Sequence, residues 1–261
     1  MPRPRIARAC RRRRIAGGAI LVALATWAAP AWAYRPFDGT DAAVADPGEM
    51  EIEFQPAGVR RDDTQKFLVA PATVFNLGLP HQWEAVLEGQ VETPFSPSGP
   101  SSLAATGAFL KHVLREGVLQ DKTGPSIATE FGLLLPEVQG DSRFGASISG
   151  IVSQRYDWGT VHLNGAAALL RDHNADLFVS AIVEGPITWK VRPVAEVFYE
   201  DEVGGSHTVS ALVGAIWQVR DNLSFDVGIR HALTDGRPVD ELRAGVTFGF
   251  PLGLFGGPGH K

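Results

Sequence analysis

Cysteine is almost missing from this chain. The one residue, Cys10, precedes an apolar run at Ile15–Ala29, so nothing from residue 34 onward carries a thiol. That excludes disulfide staples, cysteine nucleophiles and thiolate metal sites together. Long apolar runs are missing too: no stretch after Ala33 reaches the ~20 residues of a membrane-spanning helix. The chain also lacks a phosphate-binding glycine loop, paired zinc histidines and a nucleophile elbow. Base is in deficit, and the start of the chain hides how far. Arg3, Arg5, Arg8 and Arg11 to Arg14 precede the apolar run, and Ala31-Trp32-Ala33 forms a small-x-small site before Tyr34. This order predicts a secretory signal peptide over residues 1–33, cleaved on export. Its loss removes seven arginines and leaves 17 basic residues against 29 acidic ones, a formal charge of −12 instead of −5. So acidic a protein is no partner for nucleic acid.

What is present is alternation. Leu223, Phe225, Val227 and Ile229 fall on one face of a strand, with Ser224, Asp226, Gly228 and Arg230 on the other. Leu242, Ala244, Val246, Phe248 and Phe250 likewise oppose Glu241, Arg243, Gly245, Thr247 and Gly249. Period two marks a half-buried strand. About twelve such runs follow a polar lead-in at Tyr34–Gly48: Met50–Gln55, Phe67–Leu79, Trp83–Thr93, Leu103–Arg115, Ser126–Leu135 and Phe144–Gln154. The rest are Thr160–Leu170, Leu177–Gly185, Trp189–Glu200, Thr208–Val219, Leu223–Leu233 and Glu241–Phe250. The fourth is ambiguous, since Ala104–Val118 also reads as a helix. Longer polar connections are expected at 56–66, 94–102, 136–143, 171–176, 201–207 and 234–240. Tight turns at 80–82, 157–159, 185–187 and 220–222 alternate with them, and Glu116–Gly124 breaks the rule by being long. Long on one side and short on the other is how outer-membrane barrels are built. Trp83, Trp158, Trp189 and Trp217, the tryptophans beyond the leader, all fall at the short-turn end, as a membrane-interface girdle would.

With apolar residues turned to lipid, the opposite face should line an aqueous lumen. It carries Glu84, Glu88, Glu130, Lys190, Arg192, Glu196, Asp226, Arg230 and Arg243, besides Glu51, Glu53, Gln90, Glu92, Asn164, Glu184 and Glu241. Burying these in a dry core would cost several kcal/mol for each ion left unpaired; a wet lumen with acids and bases on neighbouring strands avoids this. Chemistry has few candidates. Ser206 and His207 with Asp201 hold the atoms of a triad, but adjacent strand residues point to opposite faces. Asp172, His173, Asn174 and Asp176 read as a solvated loop tip, and His112 and His162 have no ligand-spaced partner. No catalytic or metal-binding residue and no cofactor is expected.

The stretch Arg35-Pro36-Phe37-Asp38-Gly39-Thr40-Asp41, continuing to Gly48-Glu49-Met50-Glu51-Ile52-Glu53, resembles the family of outer-membrane transporters of the phenol-degradation meta pathway. Asp221-Asn222-Leu223 and Arg243-Ala244-Gly245 in the final hairpin are similar to it as well. The resemblance covers roughly Arg35–Phe250. It implies an outer-membrane barrel passing small, often aromatic or apolar compounds, with no catalytic residues. One departure is that Phe250 does not end the chain, as the assembly machinery's aromatic signal would require; Pro251–Lys261 follow it. The resulting expectation is an all-β, closed antiparallel transmembrane barrel of about twelve strands over residues 34–250, with a tail at 251–261. It would sit in the outer membrane of a Gram-negative bacterium, with the lipid bilayer, the assembly machinery and a small-molecule solute as partners. It would act as a passive channel preferring cations, its narrow bore partly filled by side chains or by Tyr34–Gly48 folded inside. The alternatives are an outer-membrane lipid-modifying enzyme and a soluble periplasmic β-protein that binds a ligand.

Overall fold

The computed structural model of the protein describes residues 35–254. The leader expected at 1–33, Tyr34 and the residues from Phe255 lie outside the described residues. Twelve antiparallel strands close into one barrel, each hydrogen-bonded to its neighbours in the chain and the last to the first. They are β1 (Glu49–Asp62), β2 (Gln65–Leu79), β3 (Trp83–Ser96), β4 (Ser102–Arg115), β5 (Ser126–Leu134) and β6 (Gly145–Tyr156). The others are β7 (Gly159–Leu169), β8 (Ala175–Glu184), β9 (Val191–Glu202), β10 (His207–Arg220), β11 (Leu223–Thr234) and β12 (Arg237–Pro251). The seam pairs Met50 with Phe250 and Glu53 with Thr247, so no edge is left unpaired. Closure is what hydrocarbon demands of a sheet, because it satisfies every ladder donor and acceptor internally.

Side-chain orientation is inside-out relative to a water-soluble barrel. Val213, Ile229 and Leu242 lie side by side across β10, β11 and β12 and are 62%, 60% and 49% exposed. Arg192, Glu196, Asp226 and Arg243 are 3%, 2%, 6% and 9% exposed, turned inward. A cation at the outward Val213 site would sit in lipid at mid-strand. Val213→Arg is therefore expected to lower unfolding stability in lipid vesicles by about 2–4 kcal/mol, read from denaturant titration of tryptophan fluorescence.

Two expectations are corrected. Two of the six long polar connections, 56–66 and 234–240, are mostly strand: β1 and β2 run on to a two-residue turn at 63–64, and β11 and β12 to one at 235–236. Beyond the apolar belt, polar residues face each other across strands, as in Arg60↔Glu241 and Arg61↔Asp240, and water accepts both faces. Polarity there marks height above the belt rather than loop. The helix alternative at Ala104–Val118 also fails, because the segment is strand β4 as far as Arg115. A bulge leaves Thr106 and Gly107 both buried and sets Ala105 at φ 48°, which breaks the alternation and obscures the period. A second irregularity has a direct cause. Pro56 and Pro71 lack the N–H a ladder needs, and the β1–β2 pairing skips from Gln55↔Ala72 to Gly58↔Val69 around them.

Candidate functional site

The interior is divided by the lead-in, which enters beside the seam and climbs into the barrel. Its amide groups are bonded to inward side chains of the wall. Asp38 and Gly39 N–H donate to the two carboxylate oxygens of Glu196, each at 2.8 Å. Thr40 N–H donates to Asn164 at 3.0 Å, Ala42 N–H to Ser153 at 2.9 Å and Ala45 N–H to Glu84 at 2.6 Å. Its charged side chains are matched as well: Asp38 with Arg243 at 2.8 Å, Asp41 with Lys111 at 3.5 Å and Arg35 with Asp226 at 3.6 Å. Arg243 also donates to the Pro36 carbonyl at 2.8 Å. Arg35 and Gln55 are bonded to each other through their side chains. An unstructured peptide in a bore needs acceptors for its free N–H groups, and inward carboxylates and hydroxyls supply them.

The long turn after β4 supports the segment from below. A single 3₁₀ turn, Val118–Gln120, tucks Leu119 against the buried cluster of Ala42, Ala128 and Ile151. Gln120 donates to the Ala42 carbonyl at 2.9 Å. The exception to the short-turn rule thus braces the segment at the terminal end. The chain after β12 adds Leu252 N–H to the Gly48 carbonyl at 2.8 Å.

The wall covered by the segment carries the bases, and these are paired. Glu241 lies between Arg230 and Arg243, 2.9 Å from each. Glu184 lies 3.4 Å from both Arg192 and His162. His162 in turn is bonded to Ser153 at 2.8 Å, a row of Ser, His and Glu on three adjacent strands. Sequence spacing did not show it, because strand register rather than proximity in the chain brings the three together. Ser153 and His162 are 0% and 2% exposed, and the Ser153 oxygen is taken up by Ala42. The row anchors the segment and opens onto no cavity. Of the other candidate groups, His207 turns to Asp235 at 3.1 Å, away from a triad with Ser206.

Opposite this wall a cavity of about 800 Å³ remains. Its lining runs from Gln82, Glu116 and Lys122 at the terminal end to Leu134, Leu170, Asp176 and Glu200 at the other. The segment presents Asp38, Asp41 and Asp46 to it, and β1 presents Glu49, Glu51 and Glu53. Glu84 and Glu88 from β3 and Glu130 from β5 complete an acidic wall whose cations are Lys111 and Lys122. Charge is therefore segregated: arginines behind the segment, carboxylates along the open side.

Eight of the nine residues expected in the lumen do turn inward; Lys190 does not. It is exposed in the connection between β8 and β9, because the strand starts one residue later, at Val191, and its side chain leaves the rim for water. The four tryptophans share the terminal end, where Trp158, Trp189 and Trp217 are more than half exposed. Trp83 is half-buried by stacking on His112 at 4.1 Å. At the far end Arg171, unnoticed in the sequence, ties its own connection to the one after β5 and to strand β4. It donates to Leu135 and Thr106 carbonyls at 2.7 Å and lies 3.4 Å from Glu137. Beside it Arg143 hydrogen-bonds Asp141 and holds that carboxyl down at about 2, so this loop pair persists as pH falls and is lost only near pH 2.

No protein-family model and no curated protein matches the sequence. Among solved structures, the NanC porin aligns with a TM-score of 0.54 at 6% identity, over 76% of this chain and 98% of that one. The KdgM porin, solved with disordered oligogalacturonate, aligns at 0.49 and 13% identity, over 77% and 99%. The CymD monoaromatic hydrocarbon channel aligns at 0.48 and 8%, over 79% and 89%. At such identities the likeness to NanC is one of fold, a closed barrel, which in this chain has twelve strands.

Proposed function

We propose that the protein is an outer-membrane channel through which small solutes diffuse passively, with cations preferred over anions. The observation that carries this reading is the acid-lined cavity beside the internal segment, with lining residues from both ends of the barrel. The outward apolar belt supports a bilayer as its surroundings, and the exported leader read at 1–33 agrees with the outer membrane as its place. Carboxylates that lack cationic partners create a negative potential in a low-dielectric tube, which concentrates cations and repels anions. No bond is made or broken, so no cofactor is required. The resemblance of the Arg35–Glu53 stretch to transporters of the phenol-degradation meta pathway supports an uptake role. Phe37, Phe109 and Phe178 on the lining give an aromatic solute surfaces to pass.

In planar bilayers under a tenfold KCl gradient, the reversal potential is expected to lie on the potassium side of zero. The preference should shrink in molar salt, where the screening length falls to about 3 Å. Absence of conductance, or a reversal potential on the chloride side, would overturn the reading.

A further inference from the structure

The open wall contains a carboxylate with no bonded partner among the described residues. Glu51 is 8% exposed and lines the cavity, and it has no hydrogen bond or ion pair among the described residues. The charged groups that act on it most strongly, Glu53, Glu84, Asp41 and Glu49, are all acidic, and Lys111 on the same wall is already matched with Asp41. Glu49 on the same lining has a buried carboxylate oxygen without a partner. With no partner of its own, such a group can be met only by water or by a cation that enters the lumen, and the cation makes the stronger bond. That counter-charge is not a chelated metal: among the described residues no cluster of His, Cys, Asp and Glu converges closely enough to hold one. A bulkier cation can instead be held by several separated carboxylates of the same wall.

Further along the same lining the chemistry is mixed. A Cβ on Gly107 would collide with both the Phe109 ring and the Glu88 carboxylate, so the absent side chain leaves an aromatic surface and an anion next to each other. A ring face and a carboxylate together recognise an ammonium group carrying an apolar body.

We propose that the channel's solutes are protonated organic amines, which pass from a station at Glu88 and Phe109 to a deeper one at Glu51. This rests on the channel reading and specifies its substrate class. The test compares benzylammonium chloride with the neutral benzyl alcohol as additives to potassium current through the bilayer-inserted protein. Benzylammonium is expected to reduce the potassium current in a concentration-dependent way, and benzyl alcohol to leave it unchanged. In Glu51→Gln the half-blocking concentration of benzylammonium should rise at least about tenfold, the worth of one charge-assisted hydrogen bond. Equal effects of the two additives, no effect of either, or an unchanged half-blocking concentration in Glu51→Gln would each overturn the proposal while leaving the channel standing. No potassium current at all would instead remove the channel reading beneath it. If heat-modifiable gel mobility shows that Glu51→Gln does not fold, Glu88→Gln takes its place with the same expected rise.

Discussion

Deleting residues 36–45 should raise single-channel conductance several-fold and move the permeability ratio toward unity. Both effects follow from where the segment lies. It fills the half of the bore in front of Arg192, Glu196 and Arg243, and its amides occupy Glu196, Asn164, Ser153 and Glu84. Without it the conducting cross-section grows to the whole lumen, and arginines now shielded from the passage face it. The barrel itself closes through its own ladders, including the β1–β12 seam, so the shortened protein should still show the gel shift of a folded barrel. Bilayer recordings of both proteins in the same salt check the expectation. Equal conductance would mean that the segment does not obstruct the route ions take.

Glu241→Ala is expected to have the largest effect on stability of any single lumen substitution. Its carboxylate sits between the Arg230 and Arg243 guanidinium groups and is largely buried. Removing it leaves two buried cations facing each other, a loss of about 3 kcal/mol or more. Arg243 keeps Asp38 and the Pro36 carbonyl, which holds the loss toward the lower end. Denaturant unfolding in lipid vesicles measures it, with Arg230→Met/Glu241→Leu as the control that removes charge from both sides. The double variant should be markedly less impaired than Glu241→Ala. Equal impairment would show that burial of charge is not what the site balances.

The barrel was legible in the sequence because a bilayer and a wet lumen impose opposite demands on the two faces of every strand. Glu88, Glu196 and Arg243 alternate with Leu87, Val197 and Leu242, and no other environment suits both sets. The rims were not legible. Above the belt both faces meet water, so Arg60, Arg61 and Asp62 look like loop while their backbones remain paired. At β4 one bulge at Thr106 and Gly107 was enough to hide the period. The arrangement of charge inside was legible only as a list. Parity places Glu84 and Glu196 in the bore, but says nothing of their being acceptors for amides more than a hundred positions away in one case. Nor does it say that Glu51 would be left without a partner, since that depends on where the lead-in runs.

The lead-in also sets an order of events. Pro36 emerges early in synthesis, yet its carbonyl meets Arg243, 207 positions later in the chain. Contacts between such distant parts of a chain form late and slowly. The first stretch of the folded protein therefore has to wait for the last strand before it can settle, and the newly closed cylinder is for a time a wider vessel than the finished one.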